Sequence, residues 1–169
     1  MKKRQQGLTT VEAAIGAALM LIILFGTIEI ARAIFVWNFL DEVTRRGARI
    51  AAVCPVDHLG VAKAAIFADP KGASDDSPHV KGLSTSDINI DYLDANDNSI
   101  KVFEDIRFVR ASIPSFQLPL LFFSNVTLPT PEFRTILPSE SLGYNPDSGA
   151  VVCECFDTQG PLGGDGCGS

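Results

Sequence analysis

Histidine is nearly absent from this chain: His58 and His79 are its only two. Both fall in segments that read as solvated surface, and neither neighbours a nucleophile motif, so triad-type hydrolysis has no foothold. Basic residues are scarce beyond the first fifty. Residues 51–169 hold seven Lys/Arg against sixteen Asp/Glu, or −9, while residues 1–50 hold seven against four, or +3; together they make the net −6. Nucleic acid and anionic lipid headgroups are recruited by basic clusters, so an acidic C-terminal part excludes them as its ligands. Metal signatures are also missing. Cys153-x-Cys155 with Cys54 and Cys167 matches no zinc ribbon or finger spacing. Asp94-x-Asn96-x-Asn98 with Asp105 at the twelfth place imitates a calcium loop, but Ser99 stands where glycine is needed and Lys101 where an apolar residue belongs. A polar turn is the better reading. Neither catalysis nor a metal or other cofactor is expected.

What the chain does have is one long apolar run near its start. After the basic flank Lys2-Lys3-Arg4, residues 13–28 carry no charge, and a single carboxylate, Glu12, lies at the head of that run. A bilayer crossing takes about 20 apolar residues, a length reached only by including residues 8–11 and therefore Glu12. A charge there costs roughly 2.5–3.5 kcal/mol, so Glu12 needs a partner. Its spacing suggests one. If the chain were cut after Gly7, Leu8 would carry a new ammonium group four residues before Glu12, one helical turn away on the same face. A secretory signal peptide would have a shorter apolar core ending in a small-x-small site. Here apolar character persists through Phe25 and resumes from Ile30 to Leu40.

These residues carry a family resemblance. The basic flank, Gly7, Leu8, and Glu12 at the fifth place after the cut resemble a type IV prepilin signal. The continuation through Gly7-Leu-Thr-Thr-Val-Glu-Ala-Ala-Ile, Leu24-Phe-Gly-Thr-Ile-Glu-Ile-Ala-Arg and Arg46-Gly-Ala-Arg is similar to TadE-like minor pseudopilins of tight-adherence (Flp, type IVb) pilus systems. The likeness covers about residues 4–53, and Arg134-Thr-Ile-Leu-Pro-Ser-Glu140 resembles the family more weakly. It implies a leader, residues 1–7, removed by a prepilin peptidase between Gly7 and Leu8 on the cytoplasmic side. Glu12 would then be the intramembrane assembly acid. It also implies an inner-membrane protein with a cytoplasmic N-terminus and a periplasmic head, extracellular once in a pilus. Its partners would be the peptidase, other pilin and pseudopilin subunits and the assembly platform. The rival reading makes the helix only a tether for a periplasmic binding module or enzyme.

Residues 8–53 contain no proline, so the helix should run past the membrane, with residues 8–28 spanning and the rest standing in the periplasm. Ala33, Val36, Leu40, Val43, Gly47 and Ile50 recur at steps of three and four, a seam expected to pack against the chain's own head. Glu29 with Arg32 reads as a surface pair, and Asp41 and Glu42 precede Arg45 and Arg46 by the favourable four residues. Gly16 and Gly26 give small faces for close helix approach.

Cys54-Pro55 should stop the helix. Beyond it the expectations are a short helix over residues 58–68, a surface loop over 69–86, and a strand over 87–92 with Ile88, Ile90 and Tyr92 inward. A second strand over 100–113 should be irregular near Glu104-Asp105, and a last strand should span 150–156 before a Gly-rich tail. Leu118-Pro-Leu-Leu-Phe-Phe123 reads as core or as an apolar subunit contact. The fold class is α+β: a long membrane-spanning helix, then a small antiparallel-sheet head over residues 54–169. Four cysteines in an exported head suggest two disulfides. Cys153 and Cys155 would share one strand face and not bond each other. Cys54–Cys153 with Cys155–Cys167 is preferred, and the swapped pairing stays open.

Overall fold

A computed structural model describes residues 6–121, 127–145 and 150–151, and is an α+β arrangement built on one helix. Helix α1, Gln6–Val53, runs 48 residues, about 72 Å at the standard rise. No proline interrupts it until Pro55. In its first half every side chain over residues 9–28 is exposed. Its second half is the spine of the head, with Val36, Leu40, Val43 and Ala48 buried along one stripe. The seam read from sequence therefore packs on the chain's own head.

Three antiparallel strands cover that stripe in the order β1 (Asn89–Leu93), β2 (Phe108–Ile113) and β5 (Phe133–Pro138). Asp91 pairs directly with Arg110 across β1 and β2, and their side chains form an ion pair at 2.9 Å. Between β2 and β5 in sequence, β3 (Gln117–Pro119) and β4 (Thr127–Pro129) make a separate two-stranded hairpin. Strands β6 (Tyr144–Asn145) and β7 (Ala150–Val151) pair near the end of the described chain. Thr44, buried on α1, meets Thr135 of β5 at 3.1 Å between hydroxyls, which helps set how the sheet lies on the helix. Gly47 marks a close approach. A Cβ there would stand 3.2 Å from both Ala65 and Ile88, so α2 and the residue before β1 approach α1 where it has no side chain.

Several local expectations change. Helix α2 is Leu59–Ala65, shorter than residues 58–68. It ends because Phe67 takes φ 62, letting Ala68 N–H reach the Lys63 carbonyl and Phe67 N–H the Ala64 carbonyl, a Schellman closure. That unusual backbone is held by the Phe67 ring, which packs on Phe39 and His79 while the Arg46 guanidinium stacks 4.3 Å above it. Arg46 is thus engaged with an aromatic face, whereas Arg45 pairs with Asp41 as expected, at 2.9 Å. The stretch over residues 69–86 is more than a surface loop: Val80 and Leu83 are buried against α1. Strand β2 begins only at Phe108, because residues 103–105 close into a 3-10 turn where the irregularity was anticipated. Asp94 builds the polar turn after β1: its Oδ1 accepts from the Asn96 and Asn98 N–H groups. Those bonds, led by that from Asn98, hold the Asp94 carboxyl below the usual range.

Candidate functional site

Three features of α1 bear on function: its bare first half, the junction with the head, and its capped end. Among the described residues it is the one helix long and apolar enough to cross a membrane. Glu12 lies in its bare half, exposed, with no partner among the described residues. The helix already includes Gly7 and Leu8, so the Leu8 and Glu12 backbone positions are four apart on one face. Gly16 and Gly26 have no atom within 4 Å of where a Cβ would stand, leaving bare backbone open to an approaching helix.

The junction is marked by Glu29, which is bonded to the head's Leu121. Glu29 pairs with Arg32 at 2.9 Å, but this is not merely a surface pair. The Leu121 N–H donates to both Glu29 oxygens at 3.1 and 3.2 Å, and Arg32 donates to the Pro119 carbonyl. The end of the β3 hairpin is thereby clasped to α1. Sequence reasoning missed this clasp, although the apolar run over residues 118–123 was its visible signal. Of that run Leu118 is buried in the core and Leu121 is 61% exposed, while Phe122 and Phe123 lie outside the described residues.

At the other end, α1 is closed from a distance. The Ala52 carbonyl accepts from the Glu140 and Leu142 N–H groups, and the Val53 carbonyl from Gly143 N–H at 2.7 Å. Segment 140–143 therefore supplies the donors that helix C-termini lack. Gly143 adopts φ +79 and lies against Pro55.

These features point the same way. Residues 7–49 match the TadE-like protein family. The matched stretch is α1 from its start to just past Gly47, which is consistent with a TadE-like protein of the tight-adherence system, a pilus-associated family and not one of enzymes. No curated protein and no solved structure matches the chain significantly. A single N-terminal apolar helix suggests a membrane anchor.

The remaining anticipated sites separate. Cys54 is fully buried just past the end of α1. Cys153, Cys155 and Cys167 lie outside the described residues, as does the rest of the anticipated strand over 150–156 beyond Val151. Neither histidine is simply solvated: His58 Nδ1 accepts from Gly60 N–H to cap α2, and His79 packs edge-on to Phe39 and Phe67. A cleft of about 650 Å³ opens between α2 and β1, lined by Asp57, His58, Lys63, Asp75 and Tyr92 among others. Its charges are already matched, Lys63 with Asp75 at 3.2 Å and Asp57 with Lys101. Burial pushes the Tyr92 phenol up to about 12, which keeps it protonated at neutral pH.

Proposed function

We propose that this chain is a minor pseudopilin used in assembling a tight-adherence (type IVb) pilus. A prepilin peptidase removes residues 1–7 at the cytoplasmic face, and the apolar helix stays in the inner membrane with the head outside. The observation that carries this reading is Glu12: an exposed carboxylate with no partner among the described residues, on an exposed apolar helix, four residues after Leu8, within the segment that matches the TadE-like family.

The mechanism is physical. Cleavage creates an ammonium at Leu8. In a medium without water, Glu12 is neutralised by that group on its own chain or on a neighbouring subunit, so entry beside another pilin is favoured over isolation in lipid. Open backbone at Gly16 and Gly26 supports close packing of such helices. Cys54, paired with Cys153 or Cys155, would brace the helix end against the head's last segment in an oxidising compartment.

Intact-mass and N-terminal analysis of the membrane-extracted protein tests this. A chain beginning at Leu8 supports the reading; one retaining Lys2-Lys3-Arg4 overturns it. Glu12→Ala should insert normally and abolish pilus assembly. If the helix were only a tether, Glu12→Leu would leave function intact, and a small ligand would be sought in the cleft beside Tyr92.

A further inference from the structure

We propose that the lipid contact of α1 continues past the span on one side only. The face of the helix turned away from the head lies in the interfacial layer of the bilayer over residues 30–37, and α1 leaves the membrane obliquely with the head on its upper side. The proposal rests on reading the apolar first half of α1 as a membrane span. The two sides of the helix change character at different heights. On the head side, charge arrives directly after residue 28 as Glu29 and Arg32, paired at 2.9 Å, and Val36, Leu40 and Val43 beyond them are buried. On the open side the chain stays apolar for two more turns: Ile30, Ile34, Phe35 and Trp37 are 62%, 51%, 55% and 44% exposed. That side turns polar only at Asn38, followed by Glu42 and Arg45, all exposed.

The width of this face says what covers it. At about 100° per residue, Trp37, Ile30, Ile34 and Phe35 spread over an arc of about 160°. A partner helix covers a narrower seam of every third or fourth residue. An apolar arc this wide, continuous with the span below it, is the pattern of a helix in lipid. Trp37 sets the level. Tryptophan favours the headgroup boundary, where its ring meets an apolar layer and its indole N–H meets water. Helical side chains lean toward the N-terminus, here toward the membrane, so the ring reaches below its own Cα. With Trp37 interfacial, hydrocarbon ends near Ile34 on the open side and near Glu29 on the head side. Those exits differ by about 7.5 Å along a helix about 10–12 Å wide, which is a tilt of roughly 35°. Membrane helices tilt by about 0–40°. At that angle a core of about 30 Å takes about 37 Å of helix, or about 24 residues. Counted from Leu8, they end at about residue 31, between the two exits. The contact needs no anionic lipid, since Arg45 above it is already paired with Asp41 at 2.9 Å. Such an exit would hold the head at a fixed angle over the membrane before a subunit leaves it.

Trp37 is the only tryptophan, so the chain carries its own probe. The full chain would be reconstituted at low protein-to-lipid ratio in phosphatidylcholine vesicles. Lipids brominated near the carbonyl or near the chain end would quench its fluorescence from within, and iodide from the water. The shallow label should quench Trp37 roughly two-fold or more beyond the deep label, with little effect of iodide. A chain with Trp37→Phe and Glu42→Trp should be quenched by iodide and by neither lipid. A chain with Trp37→Phe and Leu19→Trp reports the span, since Leu19 lies about 15 Å before Glu29 and should be quenched best by the deep label. Deep quenching at position 19 with Trp37 open to iodide would overturn the oblique exit and leave the span standing. Trp37 shielded from lipid and iodide alike would mean that protein covers this face, overturning lipid as its occupant. Shallow quenching at position 42 equal to that at 37 would overturn the boundary at Asn38. Shallow quenching exceeding deep at position 19 would mean an upright helix set higher in the bilayer, and would overturn the tilt. Quenching by neither lipid at position 19 would overturn the span and this contact with it.

Discussion

Replacing Gly143 by alanine adds one methyl group where the long helix is closed, and its two costs can be separated. The first is conformational: φ at Gly143 is +79, and a left-handed backbone costs an L-residue about 1–2 kcal/mol. The second is steric. The new Cβ would stand 2.7 Å from Pro55 Cγ and 2.9 Å from Cδ. A proline ring cannot swing away, so overpacking adds about 1–3 kcal/mol. The sum is about 2–5 kcal/mol. Gly82 is the internal control, with φ +86 and nothing within 4 Å, so Gly82→Ala should lose only the first part, about 1–2 kcal/mol. Urea unfolding of the full chain in detergent micelles would compare midpoints, and hydrogen exchange would follow residues 139–144. The Gly143→Ala midpoint should fall further than that of Gly82→Ala. The amide at 143, bonded to the Val53 carbonyl at 2.7 Å, should exchange earlier. Equal midpoints for the two variants would refute the steric half of the reasoning. A Gly143→Ala protein as stable as the parent would refute both halves.

Leu40 is fully buried between α1 and the sheet, and Leu40→Ala should destabilise the head by about 2–5 kcal/mol, read as a lowered urea midpoint. An unchanged midpoint would show that this stripe is not the core. Tyr92 predicts an alkaline limb. The unfolded phenol releases its proton near 10 and the folded one only near about 12, so between those values the unfolded state holds fewer protons and stability falls. The contribution is complete below pH 10 and lost as pH rises through 12. Tyr92→Phe should remove that slope, which urea midpoints measured from about pH 9 upward would reveal.

Much of α1 was legible beforehand. Absence of proline, apolar steps of three and four, and the X-Pro stop at Cys54-Pro55 are local rules, and they anticipate a helix ending at Val53. Strand β1 was legible in part. It is Asn89–Leu93 and not residues 87–92, since Thr85–Asp87 form a 3-10 turn. Of the three residues expected inward, Ile88 is buried just before the strand, Ile90 partly and Tyr92 fully, with Leu93 buried as well. The errors came where a local pattern competes with distant packing. Residues 69–86 look polar enough for a loop, yet Val80 and Leu83 are drawn into the core by a helix thirty or more residues earlier in the chain. Residues 58–68 look helical throughout, but an aromatic and cationic cluster around Phe67 makes a left-handed closure affordable.

By itself, then, the order of amino acids determined a long apolar helix with one carboxylate in it and an acidic, sheet-bearing part beyond. Those properties follow from periodicity, length and charge within a few turns of chain. Only tertiary structure decided which half of α1 is covered, how its last carbonyls are satisfied, and that Glu29 holds the residues after β3. The clasp joins residues 92 apart and the closing bond joins Val53 to Gly143. Each depends on backbone groups whose partners are chosen by how the sheet lies on the helix, and no short-range pattern encodes that choice.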